Sequence, residues 1–527
     1  MIPGAMQPYS LTVDKFLDHA AKWHSRSQVV TATGAGDSTR TDYLALRAQA
    51  QRVSAALAER GAGQGDVVAT LAWNTQEHLE SWYGIMGMGA ICHTLNPRLL
   101  PTQLAAMLGE SGARLLILSA DLQPLASDVL ALGTAIKEVL LIDNGLSAGQ
   151  IAGDTFKAGT LADATRQATR EVEWGRFDED APCGLCFTSG TTGAPKGVTY
   201  THRGNYLHTL RQLQADVAGL TGEDAILTMV PMFHANAWGL PFSVPAVGGK
   251  LVLPGRHADG ATLARLIVEE QVTLGVGVPT VWLGLMDHLD QTGEDLPSLR
   301  RIMVGGAAMS PSLMERIERR GIRVQTTWGM TEISPLGTAM PPAAGTRSPS
   351  ASGRPAIGID LMLTDASGKA LDRQRGAEGH LWVRGPSVVE RYLGQAEPVT
   401  QDGWFDTGDL ARIDESGILT ITGRAKDLIK SGGEWINPAE IEAIVGAHPD
   451  VSQAAVIGRE HAKWGERPVL LVELRDGAEI GDEALLDTLD GKVASWWRPD
   501  SVLRLANMPL AATGKIDKLR LRSEYGR

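Results

Sequence analysis

Three cysteines in 527 residues, Cys92, Cys183 and Cys186, are too few to staple a chain of this size. Disulfide frameworks belong to small domains in oxidising compartments, so a reducing cytoplasm and a fold held by its apolar core are expected. Cys183-x-x-Cys186 has no second Cys/His pair nearby to complete a zinc site, and on a strand its two thiols would face opposite sides. Basic charge is also short: 49 Lys and Arg against 61 Asp and Glu leave a net charge of -12. A dedicated nucleic-acid binder would carry a basic stripe, so no nucleic-acid partner is expected. No apolar run approaches the ~18 residues of a spanning helix, and no transmembrane segment is expected. The opening Met1-Ile2-Pro3-Gly4-Ala5-Met6 lacks the charges and apolar stretch of a secretory signal. Phe and Tyr are scarce at seven each. Two residues are in excess: Gly, at 60, exceeds the typical ~7%, and Trp numbers 13.

The length suggests about three to five folding units. Short apolar runs alternate with longer amphipathic stretches through the first 330 residues. Val67 to Ala72, Leu115 to Leu118, Val139 to Ile142, Ile226 to Val230 and Arg301 to Val304 read as buried strands. Leu263 to Glu270 and Pro311 to Arg320 read as helices between them. This alternation predicts an α/β fold with mainly parallel sheets. From about residue 340 a Gly-, Pro- and Ser-rich stretch leads into short strands such as Gly379 to Gly385, a smaller β-rich unit over about 340–423. The last hundred residues, with a helix near Pro438 to Val445 and strands near Ala454 to Ile457 and Val469 to Leu474, read as a small α+β domain. The expected division is 1–424 and 425–527, with the linker near Arg424 to Lys426.

The most informative segment runs Thr188-Ser189-Gly190-Thr191-Thr192-Gly193-Ala194-Pro195-Lys196-Gly197, after the predicted strand Gly184 to Phe187. Glycines expose backbone N–H groups, hydroxyls add donors and Lys196 adds a point charge, all suited to a polyphosphate. The spacing is not that of the common P-loop, because Gly197 follows Lys196. Met303-Val304-Gly305-Gly306-Ala307-Ala308 ends a predicted strand in small residues, which suits either a flat ligand against the backbone or a tight packing turn. From Arg504 to Arg527 six basic and two acidic residues give a local charge of +4.

The phosphate-binding string resembles the signature of the adenylate-forming superfamily, which includes acyl-CoA synthetases, nonribosomal adenylation domains and firefly luciferase. The resemblance recurs in order. Thr327-Trp328-Gly329-Met330-Thr331-Glu332 resembles the adenine and magnesium motif, and Trp404-Phe405-Asp406-Thr407-Gly408-Asp409 the ribose motif. Gly423-Arg424-Ala425-Lys426-Asp427 resembles the hinge, and Pro509 with Thr513-Gly514-Lys515-Ile516 the C-terminal lysine motif. It implies an ATP or AMP site made of Thr188, Ser189, Gly190, Thr191, Thr192, Gly193, Lys196, Gly305, Gly306, Ala307, Thr326, Thr327, Trp328, Gly329, Met330, Thr331, Asp409, Ile421 and Arg424. Mg2+ is expected on Thr188 and Glu332, since that ion prefers carboxylate and phosphate oxygens. Lys515, Glu332 and His234 are the expected catalytic residues, with Lys515 stabilising charge as carboxylate and α-phosphate react. Trp328 stands where the family usually has Tyr; an indole can stack on adenine but lacks the phenol hydroxyl. The implied architecture is a large N-terminal domain of α/β subdomains plus the β-rich subdomain, followed by a small mobile C-terminal domain. Its hinge and CoA approach would use Lys426, Lys430, Gly432, Gly433 and Trp435.

Val230 to Gly239 should line the acyl pocket, with His234, Ala235, Trp238 and Gly306 as its wall or gate. His234 stands where amino-acid-activating domains carry Asp, so a free amino acid is not expected. The Asn236-Ala237-Trp238 and Gly433-Glu434-Trp435-Ile436 runs are most similar to bacterial fatty-acyl-CoA synthetases and to 3-methylmercaptopropionyl-CoA ligases. The expected activity is AMP-forming acid:CoA ligation with ATP and CoA as co-substrates, acting on an apolar acid, foremost a fatty acid. A thioether acid, or transfer to a carrier protein, is the alternative, and a homodimer is in keeping with the resemblance.

Overall fold

The computed structural model describes residues 4–34, 36–142, 156–188, 195–343, 348–432, 434–475, 477–511 and 515–526. The expected phosphate-loop residues Ser189, Gly190, Thr191, Thr192 and Gly193, and Gly433 of the CoA approach, lie outside them.

The apolar runs become strands buried on both faces, which is why their sequences alternate so little. Among the described residues, one sheet runs Lys157–Thr160, Glu138–Ile142, Leu115–Ser119, Val67–Leu71, Ile91–Thr94, Pro182–Phe187 and Gly197–Thr201. All neighbours are parallel except the last pair. A second sheet has a parallel half formed by Gln28–Gly34, Lys250–Leu253, Ala225–Thr228, Leu274–Gly277, Arg301–Val304 and Arg323–Gly329. The two sheets share one core, where Val68, Ile117 and Cys186 of the first meet Ile226, Val276 and Met303 of the second. Tyr43–Glu59 and Gln76–Gly87 are among the helices that pack into that shared core. The outer faces are covered by Gly260–Glu269, Pro279–Thr292 and Pro311–Glu318 on one side, and Pro101–Ser111 and Gln123–Ala131 on the other.

Local chemistry sets the helix starts. Asp42, Thr75, Asp259 and Ser310 accept the Ala45, His78, Thr262 and Leu313 amides, and Pro311 occupies the first turn after Ser310. These caps satisfy donors that a helix cannot pair internally.

The β-rich stretch does not form a free-standing sheet. Leu336–Ala339 and Ala351–Pro355 bridge it, antiparallel, onto Arg323–Gly329, and Leu419–Arg424, Trp404–Ile413, Ala377–Arg384 and Asp360–Thr364 continue the same sheet. The junction needs Gly353 (φ +86°), where a Cβ would overlap the Ala339 carbonyl. The smaller C-terminal domain has its own sheet, with Gly465–Leu474 flanked by Val451–His461 and Ser501–Arg504, and its own apolar clusters about Val456 and Ile457. The chain is thus a mixed α/β protein with a large N-terminal and a smaller C-terminal domain. No helix among the described residues is long and apolar enough to cross a membrane.

Candidate active site

The parallel strands deliver their C-terminal ends to one cleft, the usual place for a ligand in such sheets. Phe187 leads to Thr188, Val304 to Gly305 and Gly306, and the strand Arg323–Gly329 ends in the predicted adenine motif. The cleft holds about 2160 Å³ and is closed from the other side by the C-terminal domain, including Lys515 and Lys518.

Asp409 is 2% exposed and both its oxygens are engaged. Oδ1 faces Arg424 Nε at 2.6 Å, and Oδ2 accepts the Trp328 indole N–H at 2.9 Å. Asp409 and Arg424 are register partners on neighbouring strands, so the backbone sets this ion pair. Burial raises the Asp409 pKa, opposed by Arg424 and the indole donor. The tryptophan that lacks a phenol therefore brings a different donor to the ribose-motif carboxylate.

Glu332 is buried after Trp328, and its Oε1 accepts the Tyr392 hydroxyl at 3.0 Å. The Lys196 ammonium lies over the same Tyr392 ring, 4.9 Å from its centroid. Thr188 and Lys196 pair through the backbone, Thr188 N–H donating to Lys196 C=O at 2.9 Å. Tyr200 donates its hydroxyl to Thr331 C=O at 3.0 Å, tying the adenine motif to the strand after the phosphate loop. Burial raises the Glu332 pKa, with Tyr392, Arg424 and Lys196 pulling it back. Such a carboxylate, buried and with one oxygen held, suits an oxygen-seeking divalent cation that also takes phosphate ligands.

Lys515 C=O accepts the Ala511 N–H at 2.7 Å, and Asp517 N–H donates to Pro509 C=O at 2.8 Å, which holds Lys515 in place. Its Cε stands 3.7 Å from where a Cβ on Gly306 would be. Burial and Arg424 lower the Lys515 pKa, while Asp409 and Glu332 raise it. His234 is pushed down to about 4 by burial, Lys515 and Arg98, so its imidazole is neutral near pH 7.

The segment expected to line the acyl pocket is unusual in its backbone. Ala235, Asn236, Ala237 and Trp238 all have φ between 44° and 55°, a left-handed turn of four non-glycine residues. Each such residue costs roughly 1–2 kcal/mol relative to the right-handed form. The Trp238 ring lies over Gly305, whose Cβ would stand 2.9 Å from Cη2, and its Cζ2 is 3.8 Å from a Cβ on Gly306. Thr327 Oγ1 donates to Val304 C=O at 3.1 Å beneath them.

Ala307, Thr326, Met330, Ile421 and Lys426 line the same cleft. Lys430, Gly432 and Trp435 do not: Lys430 and Trp435 pair on the C-terminal sheet, with Lys430 Nζ 5.5 Å from the Trp435 ring centroid and Trp435 52% exposed. Gly432 (φ +60°) packs on Trp464. Sequence reasoning passed over Tyr392, Arg98 and Asn74. Asn74 donates to Thr228 C=O at 3.0 Å and Val230 C=O at 2.9 Å and accepts Met232 N–H at 2.7 Å, bracing the segment that leads to His234 and Trp238. These pairs join residues 60 to 158 positions apart, with no periodic or motif signal to announce them.

Residues 16–393 match the family model described as AMP-binding enzyme, and residues 440–515 that described as AMP-binding enzyme C-terminal domain. The chain belongs to the AMP-binding enzyme family. It is 40% identical to the 3-methylmercaptopropionyl-CoA ligase of Ruegeria lacuscaerulensis, over 99% of this chain and 98% of that protein. It is 38% identical to the medium-chain-fatty-acid–CoA ligase of Ectopseudomonas oleovorans, over 99% and 97%. Among solved structures, ATP-bound MatB from Rhodopseudomonas palustris superposes with a TM-score of 0.86 at 27% identity, covering 98% of this chain and 99% of that one.

Proposed function

We propose that this AMP-forming acid–CoA ligase activates an apolar carboxylic acid, in the first instance a fatty acid, through the residues gathered in the cleft. It uses ATP, CoA and the acid as substrates. In the first half-reaction the carboxylate attacks the α-phosphate of ATP, giving acyl-adenylate and pyrophosphate. Lys196 and the hydroxyl of Thr188 bind phosphate oxygens, Asp409 binds the ribose hydroxyls, and Trp328 supplies an aromatic face for adenine. Lys515 holds positive charge where carboxylate and phosphate oxygens gain negative charge, and neutral His234 bounds the acid's carboxylate end. Glu332 and Thr188 are the residues that would hold Mg2+, which neutralises phosphate charge when bound. In the second half-reaction the C-terminal domain, residues 425–527, turns about Lys426. Lys515 withdraws, and the Gly432, Gly433 and Trp435 face admits CoA, with Lys430 beside it. A cytoplasmic homodimer is part of the same reading.

The observation that carries this reading is Lys515 standing beside Gly306 with Asp409 and Glu332 as its electrostatic partners. The test is Lys515→Ala. Adenylate formation should fall about 10²–10³-fold, while thioester formation from supplied acyl-adenylate is largely spared. Equal loss in both halves would sink the role of Lys515. AMP release that does not require CoA would favour a carrier protein as acceptor.

A second reading is favoured by Trp238, which lies across the pocket at 9% exposure against Gly305 and Gly306. A wall so close to the reacting centre suits a short acid, such as the thioether acid 3-methylmercaptopropionate, better than a long chain.

A further inference from the structure

The C-terminal domain carries Lys515 into the cleft, and one buried side chain fastens that domain to the large sheet. Asn437 precedes the helix Pro438–Gly446, whose Ile441 and Val445 pack against Val451 and Val456 of the C-terminal sheet. Its Oδ1 accepts the Ala439 N–H at 3.2 Å and caps that helix. Its Nδ2 reaches the other way and donates to the Thr422 C=O at 2.6 Å. Thr422 lies on the strand Leu419–Arg424 of the large sheet, whose last residue holds Asp409. The approach depends on Gly423: a Cβ there would have atoms of Asn437 as its three nearest neighbours, the first of them Oδ1 at 2.7 Å. From Asn437 the connection runs on to Lys515 inside the C-terminal domain. Glu442 of the same helix pairs with Lys518 at 2.7 Å and accepts the Val456 N–H at 2.6 Å. Lys518 opens the helix that follows Lys515, and Arg522 of that helix pairs with Asp427, beside Lys426, at 3.0 Å.

We infer that Asn437 is a positioning residue for the first half-reaction: its amide straps the C-terminal domain to Thr422 and so keeps Lys515 in the cleft while the acyl-adenylate forms. The inference rests on the ligase reading, in which that domain turns about Lys426 between the half-reactions. Thr422 and Asn437 lie on opposite sides of that pivot, so the turn carries the amide off the carbonyl. The bond therefore belongs to the adenylating pose alone. A domain that visits two poses in every turnover has them close to balance, and losing one buried hydrogen bond shifts such a balance several-fold. Serine at 437 still caps the helix but is too short to reach Thr422. Alanine at 423 presses on Asn437 from the other side of the same contact.

The experiment measures the two half-reactions separately in the wild type, Asn437→Ser, Gly423→Ala and the double variant. Adenylate formation is read as pyrophosphate release from ATP with a panel of straight-chain and thioether acids, and thioester formation from supplied acyl-adenylate and CoA. Asn437→Ser should slow adenylate formation about three- to tenfold and leave thioester formation at the wild-type rate or above it. Gly423→Ala should show the same split. In the double variant the two losses should not add, because both act through one contact. Equal slowing of both half-reactions overturns the strap and marks Asn437 as a stabilising cap only. Adenylate formation within about twofold of the wild type in Asn437→Ser also overturns it, and leaves the ligase reading intact. Losses that add in the double variant overturn the shared contact. A wild type that forms no adenylate with any acid overturns the ligase reading, and the strap with it. Where Asn437→Ser fails to fold, the split in Gly423→Ala decides.

Discussion

Replacing Trp328 with Phe removes the indole N–H. Phe keeps a smaller aromatic face for adenine and loses, with one ring of the indole, the donor that reaches Asp409 Oδ2 at 2.9 Å. Asp409 is 2% exposed, so water cannot easily take the donor's place. A hydrogen bond to a charged group contributes roughly 1.5–3 kcal/mol, or about ten- to hundredfold in an equilibrium constant. Arg424 still holds Oδ1 at 2.6 Å, which keeps the carboxylate ionised but lets it turn about that contact. The expected result is a KM for ATP about tenfold higher with kcat changed much less, because the ribose contact proposed for Asp409 would be made before and after the chemical step alike. The lost donor also removes one of the influences holding the raised Asp409 pKa down. ATP binding by the variant should therefore weaken at a higher pH than in the wild type as the medium is acidified. Initial rates of AMP release against ATP concentration, at neutral and mildly acidic pH, read both effects. A KM for ATP within about twofold of wild type at both pH values would refute the role of the indole N–H.

Two further outcomes concern stability. Asn74→Ala removes three buried hydrogen bonds and leaves two carbonyls and an N–H without partners, so it should cost about 3 kcal/mol or more and lower Tm by several degrees; an unchanged melting curve would show that the segment to Met232 holds without it. Burial lowers His78 to about 4, His93 to about 3 and His202 to about 3. In the unfolded chain these titrate near ~6.5, so below that pH the unfolded state binds more protons, and stability present above it is lost as pH falls towards the folded values. Glu80, pushed up to about 8, works in the opposite sense, keeping its proton when folded and so adding stability as pH falls from 8 towards its ordinary value. His234, lowered to about 4 by the same burial, adds to the loss, so as pH falls from 7 towards 5 the histidines outweigh Glu80 and stability decreases. Denaturant midpoints that do not fall between about pH 7 and pH 5 would contradict this balance.

Much of the fold is legible before any coordinates. The runs at Val67, Leu115, Val139, Ile226 and Arg301 become strands because buried parallel strands require unbroken apolar sequence, and Ser310-Pro311 marks a helix start by its own chemistry. The β-rich stretch reads as a unit from its turns, but its fusion to the parallel sheet through Leu336–Ala339 does not, because strand pairing across that junction leaves no local pattern. In the site, Thr188, Lys196, Glu332, Asp409 and Lys515 are each visible within a motif. Tyr392 on Glu332 and Asn74 under the segment that leads to Trp238 are not, since each is an isolated residue whose partner is far away in the chain.

The sequence by itself determined the class of chemistry. Phosphate, ribose and lysine motifs are runs of adjacent residues, and adjacency is what a sequence records. It also determined the small-residue strand ends, since Gly305 and Gly306 stand where any side chain would meet Trp238 or Lys515. Tertiary structure alone decided how those groups are charged and walled. Asp409 is shared between an indole and a guanidinium, His234 is made neutral by enclosure with Lys515 and Arg98, and Trp238 is set across the pocket by a left-handed turn. Burial, pairing across strands and positive φ are properties of assembled neighbours, and the excess of Trp acquires its meaning only there.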